Sequence, residues 1–147
     1  MQRLLPPILV LLLLASMGAV HHLWPGPRWL SPALRPWGAV PLGVGIALLV
    51  TARLQFARHR TNIMTFGQPN RLVTTGAFAL SRNPMYLGFA LVLVGASAFS
   101  GGLSALLLAL VFLPVADRWY IPYEERLLAQ AFGTAWEDYK RRVRRWL

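Results

Sequence analysis

Residues 84–117 read PMYLGFALVLVGASAFSGGLSALLLALVFLPVAD and carry no charge until the final aspartate. Two apolar runs meet at Ser100-Gly101-Gly102, a stretch whose composition marks a tight turn. A turn this brief folds the runs into an antiparallel helical hairpin, so the ends at Pro84 and Asp117 emerge on one side. Pro84 suits the first helical position, where a missing N–H is no loss, with Asn83 or Ser81 as the cap.

Working outward, a further apolar run extends from Trp37 to about Ala52 and ends in Arg53, and another covers Leu4 to Leu23 without a charge. At ~1.5 Å per residue, about twenty residues reach across ~30 Å of hydrocarbon. Pro6 and Pro7 fall in the first turn of the earliest run. A cleaved signal peptide competes for that run, because Arg3, the apolar stretch and Ala15-Ser16 fit its outline. Composition agrees with lipid as the solvent. The chain is 56% hydrophobic and 14% charged, whereas a soluble domain is nearer one quarter charged. A length of 147 residues suits one domain. The expected architecture is all-α and membrane-integral, with about four transmembrane helices over residues 4–23, 37–53, 84–99 and 103–118. A cytoplasmic helical segment follows, with helices over about 122–132 and 135–143.

The net charge of +10 sits mainly between and after these runs, as in loops that flank membrane helices, and no nucleic-acid partner is expected. Arg53, Arg58, Arg60, Arg71 and Arg82 separate the second and third runs, and Arg118, Arg126, Lys140, Arg141, Arg142, Arg144 and Arg145 follow the fourth. The opposite side has Arg28 and Arg35 alone. The positive-inside rule therefore puts both termini and the 53–84 loop in the cytoplasm, and the membrane expected is a bacterial-type inner membrane. Trp24, Trp29, Trp37 and Trp119 lie near span ends, where tryptophan anchors to the interface. The terminal basic cluster with Trp146 suits anionic headgroups, at about 1 kcal/mol per basic residue. The absence of cysteine excludes disulfides and thiolate chemistry, and His21, His22 and His59 show no metal-ligand spacing, so no metal is expected.

Two cytoplasmic segments then have to meet. The 53–84 loop, with Thr61 to Met64, Gln68-Pro69-Asn70-Arg71 and a turn at Gly76, is too long for a plain tether. All the acidic residues, Asp117, Glu124, Glu125, Glu137 and Asp138, come after the fourth run. Pro122 is expected to start a helix with Glu124 and Glu125 in its first turn, where the helix dipole favours carboxylates. Leu127, Leu128, Ala131 and Phe132 form its apolar stripe, and Gly133 can cap its end. Thr134 and Glu137 then read as a capping box, with Trp136, Tyr139 and Val143 on one side of the next helix. Caps and dipoles account for much of this pattern. They leave unexplained why the hairpin brings Arg82, Asn83 and Tyr86 toward Glu124 and Glu125. Such a pocket could hold a zwitterion, with arginine gripping a carboxylate and glutamate accepting from ribose hydroxyls or an ammonium.

At these residues the chain resembles the isoprenylcysteine carboxyl methyltransferase family and its phospholipid N-methyltransferase relatives. The resemblance runs over roughly residues 40–147 through Gly76-Ala77-Phe78, Arg82-Asn83-Pro84-Met85-Tyr86-Leu87-Gly88, Glu124-Glu125-Arg126-Leu127-Leu128 and Phe132-Gly133 through Tyr139. It implies an integral membrane enzyme that uses S-adenosylmethionine on a lipid-like or small apolar acceptor, with carboxylate O-methylation favoured. By the same resemblance Arg82 and Glu125 are catalytic, and Arg82, Asn83, Tyr86, Glu124 and Glu125 bind the cofactor. Gly43 and Gly45 are similar to a Gly-x-Gly implicated in cofactor binding, although small residues also let helices approach closely. Asn83 stands where many relatives have histidine, which removes a titratable base, and Trp136 replaces a tyrosine. Competing functions are an NADPH-dependent membrane reductase of the sterol-reductase type and a non-enzymatic membrane adaptor that binds anionic lipid through its tail.

Overall fold

The computed structural model describes residues 4–24, 26–59 and 70–147. Arg3, Arg60, the Thr61–Met64 stretch and Gln68-Pro69 lie outside the described residues. Paired prolines open α1, Pro6–Leu23. A 3-10 turn, Pro32–Gly38, leads without a break into α2, Ala39–Arg58. A short helix α3, Ala77–Leu80, precedes α4, Pro84–Ser100, which starts on its proline as expected. Gly101 ends α4 in the left-handed region at φ +67°, where an L side chain is strained. The chain then turns into α5, Leu103–Val115.

Among the described residues no strand forms, and Arg28 and Gly102 make an isolated antiparallel bridge. Around it, the Trp29 N–H donates to the Gly101 carbonyl at 3.1 Å and the Leu103 N–H to that of Pro27 at 2.8 Å. These bonds satisfy backbone groups at the hairpin turn that neither helix can pair.

Helix α4 is the centre of the bundle, with α2 on one side and α1 and α5 packed against the rest of it. Glycines set the α2–α4 distance. A Cβ on Gly45 would fall 2.6 Å from the Gly88 carbonyl oxygen, and one on Gly95 would fall 2.7 Å from that of Gly38. Without a hydrophobic drive between helices in lipid, such close backbone contact supplies the attraction. On the other side Leu93, Ala105, Ala109 and Phe112 bury against Val10, Leu13 and Met17 of α1. The outward faces carry exposed Leu11, Leu12, Val40, Val44, Val50 and Leu107, a surface suited to acyl chains.

Three helical runs are long and apolar enough to cross a membrane: Pro6–Leu23, Pro32–Arg58 and Leu103–Phe132. The third predicted span, α4, has 17 residues and is a shorter apolar helix, screened by its neighbours. The protein is an all-α membrane protein.

Two local expectations differ from the structure. Pro122 does not begin a separate helix. A π-turn, Ala116–Tyr120, joins α5 to α6, Ile121–Phe132, in one continuous run. The wider turn accommodates a proline that cannot donate to the preceding turn. Because α6 extends beyond the bundle, its apolar stripe is not a core face: Leu127, Leu128 and Phe132 are half-buried and Ala131 is exposed. The Thr134–Glu137 capping box also fails to form. Gly133, at φ +49°, makes the corner, and the Trp136 and Glu137 N–H groups of α7, Thr134–Arg142, donate to the Gly133 carbonyl.

Candidate functional site

The site is built on the turn that starts α4. Asn83 occupies the cap position, but its side chain does not cap the helix. Its Nδ2 donates to the Arg145 carbonyl at 3.1 Å, the Ser81 hydroxyl donates to the same oxygen at 3.2 Å, and the Arg82 N–H donates to the Arg144 carbonyl at 2.9 Å. The segment after α7 is therefore strapped across the 81–83 turn. Gln55 fixes the turn that leads there, donating to the Thr75 carbonyl and accepting from the Ala77 N–H. Gly76 makes that approach possible at φ +59°, since a Cβ there would overlap the Gln55 amide.

Two side-chain pairings form across the hairpin. The Tyr86 hydroxyl donates to Glu124 Oε1 at 2.8 Å, with the Tyr86 ring stacked near Phe112 and Tyr120. Arg82 Nη2 pairs with Glu125 Oε1 at 3.1 Å, the two side chains being 8% and 15% exposed. The Arg82 guanidinium also lies over the Trp136 ring, 5.6 Å from its centroid, which is a cation–π contact. Two of its nitrogens, Nε and Nη1, are buried and have no hydrogen-bond partner among the described residues. A buried donor left this way is costly, so an oxyanion reaching it would be bound strongly.

A third arginine contact was not legible in the sequence. Arg145 Nη2 meets Glu125 Oε2 at 2.7 Å, its Nε meets Glu125 Oε1 at 3.4 Å, and its Nη1 meets Asp117 Oδ1 at 3.2 Å. The hydrogen bond to Glu125 holds the Arg145 pKa above its ordinary value, against the opposing effect of burial. Trp146 Nε1 donates to the same Asp117 oxygen at 3.0 Å, and its ring packs on the main core. Beneath the strap, the Tyr139 hydroxyl donates to the Phe78 carbonyl at 2.6 Å. Burial pushes the Tyr139 phenol up to about 12, with the nearby Arg82 charge acting the other way. An open apolar groove of about 520 Å³ adjoins the site, lined by Leu87, Leu113, Pro114 and Trp146, with Asp117 and Arg118 at its polar end.

Arg82, Asn83, Tyr86, Glu124 and Glu125 are thus gathered within one turn of helix on each side. Gly43 and Gly45 are not part of this gathering. Gly45 lies against the α4 backbone at Gly88, while Gly43 is exposed with open space around its Cβ position. Arg53, Arg58 and Arg71 are exposed. Arg145 and Trp146 escape a reading of the sequence as members of the site because a basic cluster beside a tryptophan reads as lipid-binding. The available signal was Asp117, an acid standing alone at the end of an apolar run.

The fold and site define a membrane protein whose charged cluster sits at one end of a helical bundle. The phospholipid methyltransferase family model matches residues 34–135, and the chain belongs to that family. It is 32% identical over 141 residues to the cobalt-zinc-cadmium resistance protein CzcN of Cupriavidus metallidurans, covering 92% of this chain and 58% of that protein. It is 31% identical over 112 residues to protein-S-isoprenylcysteine O-methyltransferase B of Arabidopsis thaliana, covering 73% of this chain and 55% of that one. A probable protein-S-isoprenylcysteine O-methyltransferase of Oryza sativa subsp. indica is 31% identical over 111 residues, covering 72% and 56%. The chain therefore spans a little over half the length of these relatives. No solved structure matches it significantly.

Proposed function

We infer that the protein transfers a methyl group from S-adenosylmethionine to a lipid-like acceptor at the cytoplasmic membrane surface, with carboxylate O-methylation favoured. The observation that carries this reading is Arg82, a nearly buried arginine with one nitrogen on Glu125 and two others lacking partners among the described residues. An amino-acid carboxylate matches those donors in charge and geometry. Glu124 and Glu125 offer acceptors for an ammonium or ribose hydroxyls, and Tyr86 orients Glu124. Family membership supports the same assignment.

A bound S-adenosylmethionine would supply the methyl carbon from its sulfonium and be left as a neutral thioether. The protein's own part is alignment of the two reactants. Arg82, Asn83, Tyr86, Glu124 and Glu125 bind and orient at the polar end, while Leu87, Leu113, Pro114 and Trp146 offer an apolar bed for the acceptor tail. Arg118 at the groove's end suits an acceptor carboxylate, which is already ionised at neutral pH and needs no base. This division fits a site in which Asn83 cannot act as a base. Anionic headgroups would hold the exposed arginines, orienting both termini to the cytoplasm.

The test is calorimetric titration of the purified chain with S-adenosylhomocysteine, followed by transfer of labelled methyl to total membrane lipid. Binding is expected, with Arg82→Ala and Tyr86→Phe weakening it at least about ten-fold, the scale of a lost charge-assisted hydrogen bond. Binding of NADPH with no response to S-adenosylhomocysteine would overturn the reading.

A further inference from the structure

The strap after α7 shows a purpose in how it is bonded. Its backbone takes three donors from the turn that carries Arg82, through the Arg144 and Arg145 carbonyls. Its side chains take the two carboxylates that face that turn, Glu125 and Asp117. One segment thus fixes both halves of the site at once, although more than fifty residues separate it from Arg82. The exposed neighbours Lys140 and Arg141 behave differently, pairing locally with Glu137 and Asp138 on their own helix.

The geometry at Glu125 is specific. A carboxylate has about four lone-pair positions. Oε1 accepts from Arg145 Nε and is ion-paired with Arg82 Nη2, and Oε2 accepts from Arg145 Nη2. Among the described residues, one position on Oε2 remains for a ligand. Its direction is set by the Arg145 fork, because the planar guanidinium fixes the rotation of the carboxylate plane. Asp117, which also accepts from the Trp146 indole, holds that fork from behind. A carboxylate with Arg82 alone could turn about a single contact and lose the alignment.

We propose that Arg145 is a positioning residue of the site, acting through Glu125 to aim its one open acceptor at the bound cofactor. The proposal rests on the methyltransferase reading. It gives the end of the chain a role in ligand affinity that attachment to lipid would not require.

S-adenosylhomocysteine, titrated calorimetrically into the full chain in lipid nanodiscs, is the probe. Arg145→Gln should weaken binding about ten-fold, and Glu125→Gln at least as much, the range found for coupled neighbours. The double variant should bind no more weakly than Glu125→Gln alone, because Arg145 has nothing left to position. Arg145→Lys, which keeps the charge and loses the fork, should fall between wild type and Arg145→Gln. Paired Lys140→Gln and Arg141→Gln changes remove twice as much charge from the same tail and should leave affinity unchanged. Thermal unfolding of each variant shows that the comparison is made between folded proteins, and Asp117→Asn provides a second route to loosen the fork if Arg145→Gln does not fold. Unchanged affinity in Arg145→Gln, or losses that multiply in the double variant, overturns the proposal while leaving the methyltransferase reading standing. Absence of binding by the wild-type chain overturns both.

Discussion

Tyr139 shows how a single side chain can tie the site to the fold. Its hydroxyl reaches from α7 to the Phe78 carbonyl, and its ring lies beside Trp136, the residue under Arg82. Burial raises its pKa to about 12, above the ordinary 10.0 of an unfolded chain. The folded state therefore keeps the phenolic proton where the unfolded state loses it. Stability from this group is complete below pH 10, declines as pH rises, and is gone above about 12. Tyr139→Phe should flatten the alkaline decline in thermal stability across that window. It should also lower stability near neutral pH by about 1–3 kcal/mol, since the Phe78 carbonyl is left unpaired. An alkaline limb unchanged in the variant would show that the decline arises elsewhere.

At the scale of elements, the pairing of α2 with α4 depends on absent side chains. Gly38 faces Gly95 and Gly45 faces Gly88, each at a distance no Cβ could share with the opposing carbonyl. Gly45→Val should push the helices apart and lower stability by about 1–3 kcal/mol, the usual range for overpacking. Gly43→Val, two residues away and open to the outside, should leave the unfolding temperature unchanged. Equal losses from both would mean that helix propensity, not packing, is being measured. The π-turn works in the opposite sense, loosening a helix so that it can continue through Pro122. Its effect is to carry Glu124 and Glu125 on the same rod as the fourth span, which sets their height relative to Tyr86 and Arg82.

For the whole molecule, topology is the testable property. Leu4 and the strap lie at the same end of the bundle: the Tyr120 hydroxyl donates to the Leu4 carbonyl, and Tyr120 follows Asp117 by only three residues. The hairpin turn at Gly101-Gly102 is at the other end. Because the chain has no cysteine, single cysteines can report sidedness directly. Leu147→Cys should react with a membrane-impermeant maleimide only in inverted vesicles, and Trp24→Cys only in right-side-out cells. The reverse pattern would place the charged site outside the cytoplasm and remove its access to a cytosolic cofactor.

Hydropathy and glycine placement alone determined that this chain is a helical membrane protein with a hairpin at Ser100-Gly101-Gly102. From that hairpin it followed that Arg82 and Tyr86 would approach Glu124 and Glu125, because a short turn leaves two helices no other geometry. Tertiary structure alone decided the rest. The glycines of α2 proved to be helix contacts in one case and outer surface in the other, a distinction set by helix rotation, which composition does not encode. Pro122 lies within a helix because a wider turn upstream absorbs its missing donor. Arg145 and Trp146 turn inward because Asp117, Glu125 and the Arg82 turn present unpaired groups there, and those groups become neighbours only after the bundle has closed.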